Sequence, residues 1–415
     1  MLEPDTGKIL AMVSKPDFDP GSVAENWESL NTNEEAVLLN RVTQGHYVPG
    51  STFKIVTALE YMRENPDVSS YSYNCTGEID SGSNTIHCFG GKVHGTVDFR
   101  DSLAYSCNTS FSNMGQELDV EKFRQTTQEL LFNSKLPSVL PYKKSSFTLS
   151  KDAGTAEKMM TAMGQGQTQV SPYHMALITS AIANGGTLME PYLVNSVTNY
   201  KGVIIDENKP EKYKDLMTSS EAAELKDYMT SVVEYGTASV LSGQSYTAAG
   251  KTGTAEYSSD KERDHSWFVG MSNVDHPDLA VSVIIEGSDG TAKAVNVAKK
   301  VFDAYYYVIE EEVFCMKYYK HLYLSEGLEK KKDKIIQKIE AGKILSGIFL
   351  VTLAPDEKNQ LEIHRYILLL QPVFHREELF VVGISKDYEG ALELVEEITQ
   401  EVYNNCLLYT SDAAD

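Results

Sequence analysis

Two hydrophobic periods alternate along this chain. After Pro49-Gly50, apolar residues from Ser51 through Tyr61 recur at the spacing that keeps one helix face against a core. Residues 98–118 carry the same period on either side of a break near Ser106, which predicts two helices. Ser171-Pro172 reads as a helix start, and that helix runs through Ala183 to the stop Asn184-Gly185-Gly186. Short apolar or alternating runs predict strands at 9–13 (after the turn Pro4-Asp5-Thr6-Gly7), 246–255, 266–271 and 279–286. The runs at 246–255 and 266–271 are expected to be neighbours, joined by a polar turn rich in Ser, Asp and Lys. A helix over 294–307 closes this part. Strands bracketed by helices predict an α/β unit with a mostly antiparallel sheet covered by helices.

Past Tyr307 the pattern changes. Residues 316–405 show a Lys-rich amphipathic helix over 328–343, then three apolar strands at 346–354, 361–370 and 379–385. An acidic helix over 388–403 follows, enough for a small separate α/β domain. No nucleophile–base pair or metal-ligand spacing stands out there, and His364 and His375 read as ordinary strand and loop histidines.

Composition narrows the function. The 415 residues are 42% apolar, ordinary for a globular protein, and the net charge of -22 argues against a nucleic-acid partner. The longest apolar stretch, 344–354, is about half the ~20 residues a membrane helix needs. Met1-Leu2-Glu3-Pro4-Asp5 has neither a basic nor an apolar leader region, so the chain as written carries no export signal. Of the five cysteines, Cys75 and Cys88 flank a Gly/Ser/Asn-rich segment. They could close a loop worth about 3 kcal/mol if oxidised, or remain two thiols. Cys107 reads as a small buried filler, and Cys315 and Cys406 lie away from the chemistry.

That chemistry sits in three motifs: Ser51-Thr52-Phe53-Lys54, Ser106-Cys107-Asn108 and Lys251-Thr252-Gly253-Thr254. A serine hydroxyl needs a base, and Lys54, one helical turn on, points the same way. Burial and a neighbouring cation would bring a lysine towards neutrality, and Lys251 is the candidate cation. At a helix break Ser106 could relay a proton to a leaving amine, while Asn108 could hold Lys54 and a substrate amide. Along a strand Lys251 and Gly253 share one face and the threonines the other. Gly253 would leave room for a peptide backbone, and Thr252, Thr254 and Lys251 could hold a carboxylate. Alone, each motif has a bland reading, such as an N-cap serine with a solvent lysine or a helix-capping Ser and Asn. The ordered triple does not.

The S-x-x-K, S-x-N, K-T-G order resembles penicillin-binding proteins and class A β-lactamases. Residues 1–307 are similar to the transpeptidase domain of penicillin-binding proteins, closest to the class B type. Further matches are Asp5-Thr6-Gly7-Lys8-Ile9-Leu10-Ala11-Met12, Asn40-Arg41, Tyr47-Val48-Pro49-Gly50, His94-Gly95, Gly164-Gln165-Gly166 and Trp267-Phe268-Val269-Gly270. The resemblance implies the penicillin-binding protein/serine β-lactamase-like fold, with helices on both sheet faces. It also implies a D,D-transpeptidase that cross-links peptidoglycan stem peptides and is acylated by β-lactams. Ser51 would be the acylated nucleophile, Lys54 its base, Ser106 and Asn108 the relay and positioning pair. Lys251, Thr252 and Thr254 would bind the carboxylate of D-Ala-D-Ala or a β-lactam, and the Ser51 and Thr254 N–H groups would form the oxyanion hole. No cofactor or metal is expected. The family places this domain outside the cytoplasmic membrane, behind an anchor and a pedestal module, among cell-wall synthesis partners. On this resemblance the chain lacks anchor, pedestal and most of the first strand, and a class A parent bearing a glycosyltransferase stays open.

The remaining residues fall outside that resemblance. Glu310-Glu311-Glu312-Val313 can be encoded by a sequence like a ribosome-binding site ahead of Met316, so 308–315 reads as a linker or translated intergenic sequence. Residues 316–405 would then start a neighbouring gene, and 406–415 resembles a translated sequencing adapter. The alternative is a genuine two-domain protein. Rival activities are a serine β-lactamase, for which Glu157 is the available carboxylate, a D,D-carboxypeptidase, and a penicillin-binding sensor without turnover.

Overall fold

The computed structural model describes residues 1–82, 85–199, 203–256, 264–288, 290–310, 316–340, 342–343, 345, 347–354, 360–370 and 379–411; at 256, 307–310 and 404–411 only the backbone is described. Two compact units emerge, Met1–Asn195 with Asn208–Tyr306, and Ser196–Glu207 with Tyr307–Asp415.

The first unit carries the motifs. Its helices include α1 (Lys54–Glu64), α2 (Phe99–Ala104), α3 (Asn108–Glu117), α4 (Val120–Glu129), α5 (Thr155–Ala162), α6 (Pro172–Ala183), α7 (Ser219–Glu234) and α8 (Ala294–Glu310). Local chemistry sets their starts: Asp98 accepts from Asp101 N–H, Ser171 accepts from His174 N–H, and Thr218 with Glu221 forms a reciprocal capping box. Every residue of α6 is buried, as its nearly all-apolar sequence demands. Arg63 ties three helices together by donating to Thr126 and Glu129 of α4 and to Glu221 of α7.

Short strands β1 (Ser72–Cys75), β2 (Glu78–Asp80), β3 (Thr85–His87) and β4 (Gly95–Asp98) form two antiparallel pairs, β1 with β4 and β2 with β3. The larger sheet has the order β7-β6-β5, with β5 (Ala248–Glu256), β6 (Asp264–Ser272) and β7 (Leu279–Ser288) antiparallel throughout. The polar turn between β5 and β6 lies outside the described residues. The strand expected at 9–13 does not form. Leu2 bridges both Ala280 of β7 and Ile9, Lys8 bridges Tyr192, and Leu10 N–H bonds back to Met1. Beyond Ile9 the segment has no continuing ladder, and Leu10 and Val13 are exposed despite their hydrophobicity.

The second unit holds a four-stranded sheet in the order β8-β11-β9-β10, formed by β8 (Lys317–Leu324), β9 (Phe349–Leu353), β10 (Leu361–Arg365) and β11 (Phe380–Ser385). Only β8 and β11 run parallel. Strand β8 was not anticipated from the sequence, because Lys317, Lys320 and His321 are exposed and the ladder is irregular between Tyr318 and Tyr323. The run expected as a strand over 361–370 stops at Arg365, where Tyr366–Leu369 turns helical and Tyr366 donates to the Ile339 carbonyl. Helices α9 (Lys332–Glu340) and α10 (Tyr388–Ser411) complete the unit, and Ala391, Leu394 and Ile398 of α10 pack with Val351 and Val382. His375, residues 311–315 and residues 412–415 lie outside the described residues.

Candidate active site

Ser51 lies in a 3-10 turn, Gly50–Phe53, that runs straight into α1. Phe53 anchors the turn among the rings of Phe123, Phe132 and Phe147. Thr52 donates to the Pro49 carbonyl at 2.7 Å. The close packing explains the flanking glycines. A Cβ on Gly50 (φ +54°) would sit 2.4 Å from Thr254 O, and one on Gly164 would sit 1.8 Å from Gly50 O. Above Gly253 the space is already taken: an added Cβ would meet Thr52 Cγ2, Trp267 Cβ and Pro49 O at 3.0–3.2 Å. This glycine therefore admits the nucleophile turn onto β5 rather than an incoming peptide backbone. Trp267, opposite Gly253 in the ladder, donates from Nε1 to Val48 O at 3.1 Å and fastens the same turn.

Lys54 is fully buried and is the hub of the site. Its Nζ donates to Ser106 O and Asn108 Oδ1, each at 2.7 Å, and to Ser106 Oγ at 3.2 Å. Ser106 occupies the break between α2 and α3 with φ +56°, a backbone state a serine rarely adopts. That turn directs both its carbonyl and its hydroxyl at the same amine. Asn108 is steadied by donating from Nδ2 to His87 O at 3.0 Å. Among the described residues Ser51 Oγ makes no hydrogen bond, leaving it available to an incoming group.

Burial lowers the Lys54 pKa to about 7, against a smaller opposing pull from the sulfurs of Cys107 and Cys88. Lys251, also fully buried, donates to Thr252 O at 3.1 Å. Burial depresses its pKa well below the usual lysine range, and the charge on Lys54 depresses it further. Of the two causes expected from the sequence, burial is the one that tunes Lys54, and Lys54 in turn weighs on Lys251. Along β5 the exposure alternates, with Lys251 and Gly253 buried and Thr252 and Thr254 half-buried.

The sequence reading missed Thr237. Its N–H donates to Ala104 O at 3.1 Å, at the end of α2, and its hydroxyl lies 2.6 Å from that of Thr252. Gly236 after α7 marked a turn, but no local signal named the partner strand. Arg41 was noted only as part of a dipeptide; it pairs with Glu286 of β7 at 2.9 Å, and Glu286 also accepts from Tyr47. Glu157, the carboxylate available to a β-lactamase, is exposed in the first turn of α5 and forms no hydrogen bond with Ser51 or Lys54.

The family described as penicillin binding protein transpeptidase domain matches residues 1–306, a span that contains every one of these groups. The chain belongs to that family. A relative, peptidoglycan D,D-transpeptidase PbpA of Mycolicibacterium smegmatis, is 32% identical over 300 residues, 69% of this chain and 60% of the relative. The chain thus spans about 60% of the length of that curated relative. The D,D-transpeptidase domain of a peptidoglycan glycosyltransferase from Eggerthella lenta superposes with a TM-score of 0.67 at 30% identity, covering 73% of this chain and 77% of that one. Penicillin-binding protein A of Mycobacterium tuberculosis, solved as an imipenem acyl-enzyme complex, gives 0.65 at 27% identity, covering 74% and 72%. The penicillin-binding fold anticipated from the sequence is therefore present. Among the described residues no helix is long and apolar enough to cross a membrane.

Proposed function

We propose that this chain is a serine D,D-transpeptidase acting through an acyl-enzyme on Ser51. The observation that carries this reading is the fully buried Lys54 amine, tuned to about neutrality and held 2.7 Å from both Ser106 O and Asn108 Oδ1, one turn from Ser51. Neutral Lys54 takes the Ser51 proton as Oγ attacks the carbonyl of the penultimate D-Ala. The tetrahedral oxyanion is received by the N–H groups of Ser51 and Thr254. Ser106 passes a proton to the departing D-Ala nitrogen, and Asn108 holds Lys54 and the substrate amide. An acceptor amine of a second stem peptide then attacks the ester and regenerates Ser51. Lys251, Thr252 and Thr254 hold the terminal carboxylate; that negative charge would raise the depressed Lys251 pKa and return its proton. A β-lactam follows the first half of this path and keeps its amine tethered, so the ester persists.

Support comes from the M. tuberculosis relative, solved as an imipenem acyl-enzyme. As a member of this family the protein would act at the outer face of the cytoplasmic membrane, with other cell-wall synthesis proteins as partners. In this reading residues 1–307 are the catalytic domain, 308–315 a junction, 316–405 a separate small domain and 406–415 an adapter-derived tail. A genomic read with continuous coding through Tyr307 and no stop or frame change would defeat the reading of 308–315 as translated intergenic sequence and favour a genuine two-domain protein.

Fluorescent penicillin should label the wild-type chain covalently, and Ser51→Ala should abolish the label. Label that survives in Ser51→Ala would defeat the assignment. Rapid spontaneous loss of label would favour a β-lactamase, and release of D-Ala to water alone would favour a carboxypeptidase.

A further inference from the structure

The outer strand of the larger sheet departs from its ladder at one place, beside the residues that lead into Ser51. β6 and β7 pair regularly from Ser272 with Leu279 to Ser266 with Ile285, and pairing resumes with Asp264 opposite Ser288. Between those pairs β6 offers only His265, whereas β7 offers both Glu286 and Gly287. An extra residue on one strand is a β-bulge, which bends the strand and re-aims a side chain, and such bulges recur beside active sites. Gly287 takes φ +57°, a state open to glycine, and its N–H donates to His265 Nδ1 at 3.2 Å.

The re-aimed side chain is Glu286, and its two oxygens take different partners. Oε1 accepts from the Tyr47 hydroxyl, and Oε2 accepts from Arg41 Nε at 2.9 Å. Burial opposes the charge on Glu286, but these two donors outweigh it and hold the carboxyl below its usual range. Tyr47 is buried, so its hydroxyl needs a partner within the protein. Its ring meets His265 and Trp267 of β6 edge-on, with centroids 5.4 and 6.0 Å away, and its backbone exchanges hydrogen bonds with Val170. The remaining nitrogens of Arg41 donate to the carbonyls of Glu35 and Ala36, where Ala36 is held at φ +48°. One carboxylate thus ties the outer strand to both ends of the stretch 35–47.

Ser51 follows Tyr47 by four residues. In between, Trp267 holds Val48 O, so β6 and β7 together fix the approach to the nucleophile turn. β5, which carries Lys251 and Thr254, is paired to β6 and shares that frame. Among the described residues Glu286 makes no hydrogen bond with Ser51 or Lys54, so its influence passes through the chain. A displacement of about 1 Å at a reacting atom can cost ~100-fold in rate, which makes such a clamp kinetically visible.

We propose that Glu286 is a positioning residue for the nucleophile: from its bulge it clamps Tyr47 and Arg41, and so sets where the turn presents Ser51 Oγ. This role presupposes the acyl-enzyme on Ser51 and adds no covalent step of its own.

Acylation by fluorescent penicillin, followed over a range of concentrations, separates the limiting rate from the concentration that gives half of it. Glu286→Ala should lower the limiting rate roughly tenfold and leave the half-rate concentration within about twofold of wild type. Tyr47→Phe removes a single oxygen and covers the case in which Glu286→Ala fails to fold; it should show the same split with a smaller loss. The double variant should be no slower than Glu286→Ala alone, because both changes break one clamp. Glu286→Gln keeps an acceptor for Tyr47 and should recover part of the rate. A lowered melting temperature with the limiting rate of the labelled fraction unchanged would overturn the proposal, as would losses that multiply in the double variant. A wild type that takes no label defeats the Ser51 reading and this role with it. A labelled wild type, with Glu286→Ala and Tyr47→Phe reacting at its rate, defeats this role alone.

Discussion

Ser106 and Asn108 face one buried cluster and Cys107, between them, faces another, and the two clusters compensate burial by different means. Around Lys54 the chain supplies its own acceptors: a carbonyl, a hydroxyl and a side-chain amide surround one amine. Around Cys107 the groups are four soft donor atoms facing inward, with a single hydroxyl, that of Thr109, bonded to them. Buried polar groups without partners are costly, so strong hydrogen bonds complete the first cluster, while the second is held by weak contacts among the sulfurs of Cys75, Cys88 and Cys107, the His94 imidazole nitrogen and that hydroxyl. The lesson lies in the break itself. With Ser106 at φ +56°, consecutive side chains turn to opposite sides, and one triplet can serve both a proton-transfer site and a structural clamp.

Removing Lys54 should separate the clusters most sharply. Lys54→Ala deletes the base and leaves the Asn108 and Ser106 acceptors unpaired, so the rate of acylation by fluorescent penicillin at neutral pH should fall by about 10³-fold. Acylation at the wild-type rate would remove Lys54 from the chemistry. In the wild type, acylation should rise with pH through a midpoint of about 7, because only the neutral amine can accept the Ser51 proton. A midpoint in the ordinary lysine range would break the argument from burial. The linked stability has a definite sign. The folded pKa lies below the unfolded value of 10.5, so the unfolded chain binds the extra proton and Lys54's contribution to stability rises between pH of about 7 and 10.5. Lys251, shifted the same way, adds to that trend.

The two clusters were not equally legible in the sequence. Ser51, Lys54, Ser106, Asn108 and Lys251 could be read because each motif pairs reactive residues at short spacing, and the helix break at Ser106 shows in the hydrophobic period itself. The sulfur cluster could not be read this way: its four members come from separate short strands and a helix cap, and no two have ligand-like spacing. Strands β6 and β7 were legible because apolar residues run through their centres. The 9–13 run has the right residues but no edge to pair with beyond Ile9, and β8 pairs through an irregular ladder with Lys317, Lys320 and His321 exposed. Gly164 was noted as part of a matching tripeptide; only its contact with Gly50 says why glycine stands there.

That contact yields the next prediction, on packing rather than chemistry. Gly164→Ala would drive a methyl into the Gly50 carbonyl at a backbone φ of +91°, so both strain and overlap oppose it. The melting temperature should drop by ~10 °C, and penicillin labelling should fall because the Ser51 turn is displaced. An unchanged melting temperature would mean that the Gly50 turn can shift without cost, and the tight packing proposed beneath Ser51 would lose its meaning.

The smallest effect tests whether Thr237 joins the lysine-centred cluster at all. Its hydroxyl lies 2.6 Å from that of Thr252 while its backbone holds the end of α2, so it couples the carboxylate-binding strand to the helix before Ser106. Thr237→Ala removes the hydroxyl interaction, worth about 1 kcal/mol, together with the γ-methyl, and should lower the second-order acylation rate about fivefold. The melting temperature should stay close to the wild-type value, and the loss should fall on KM for a substrate bearing a free carboxylate. Thr237→Ser restores the hydroxyl and should recover most of the rate. Equal impairment of the alanine and serine variants would show that the methyl group, not the hydroxyl, positions β5, and Thr237 would belong to the packing around the site instead of its polar network.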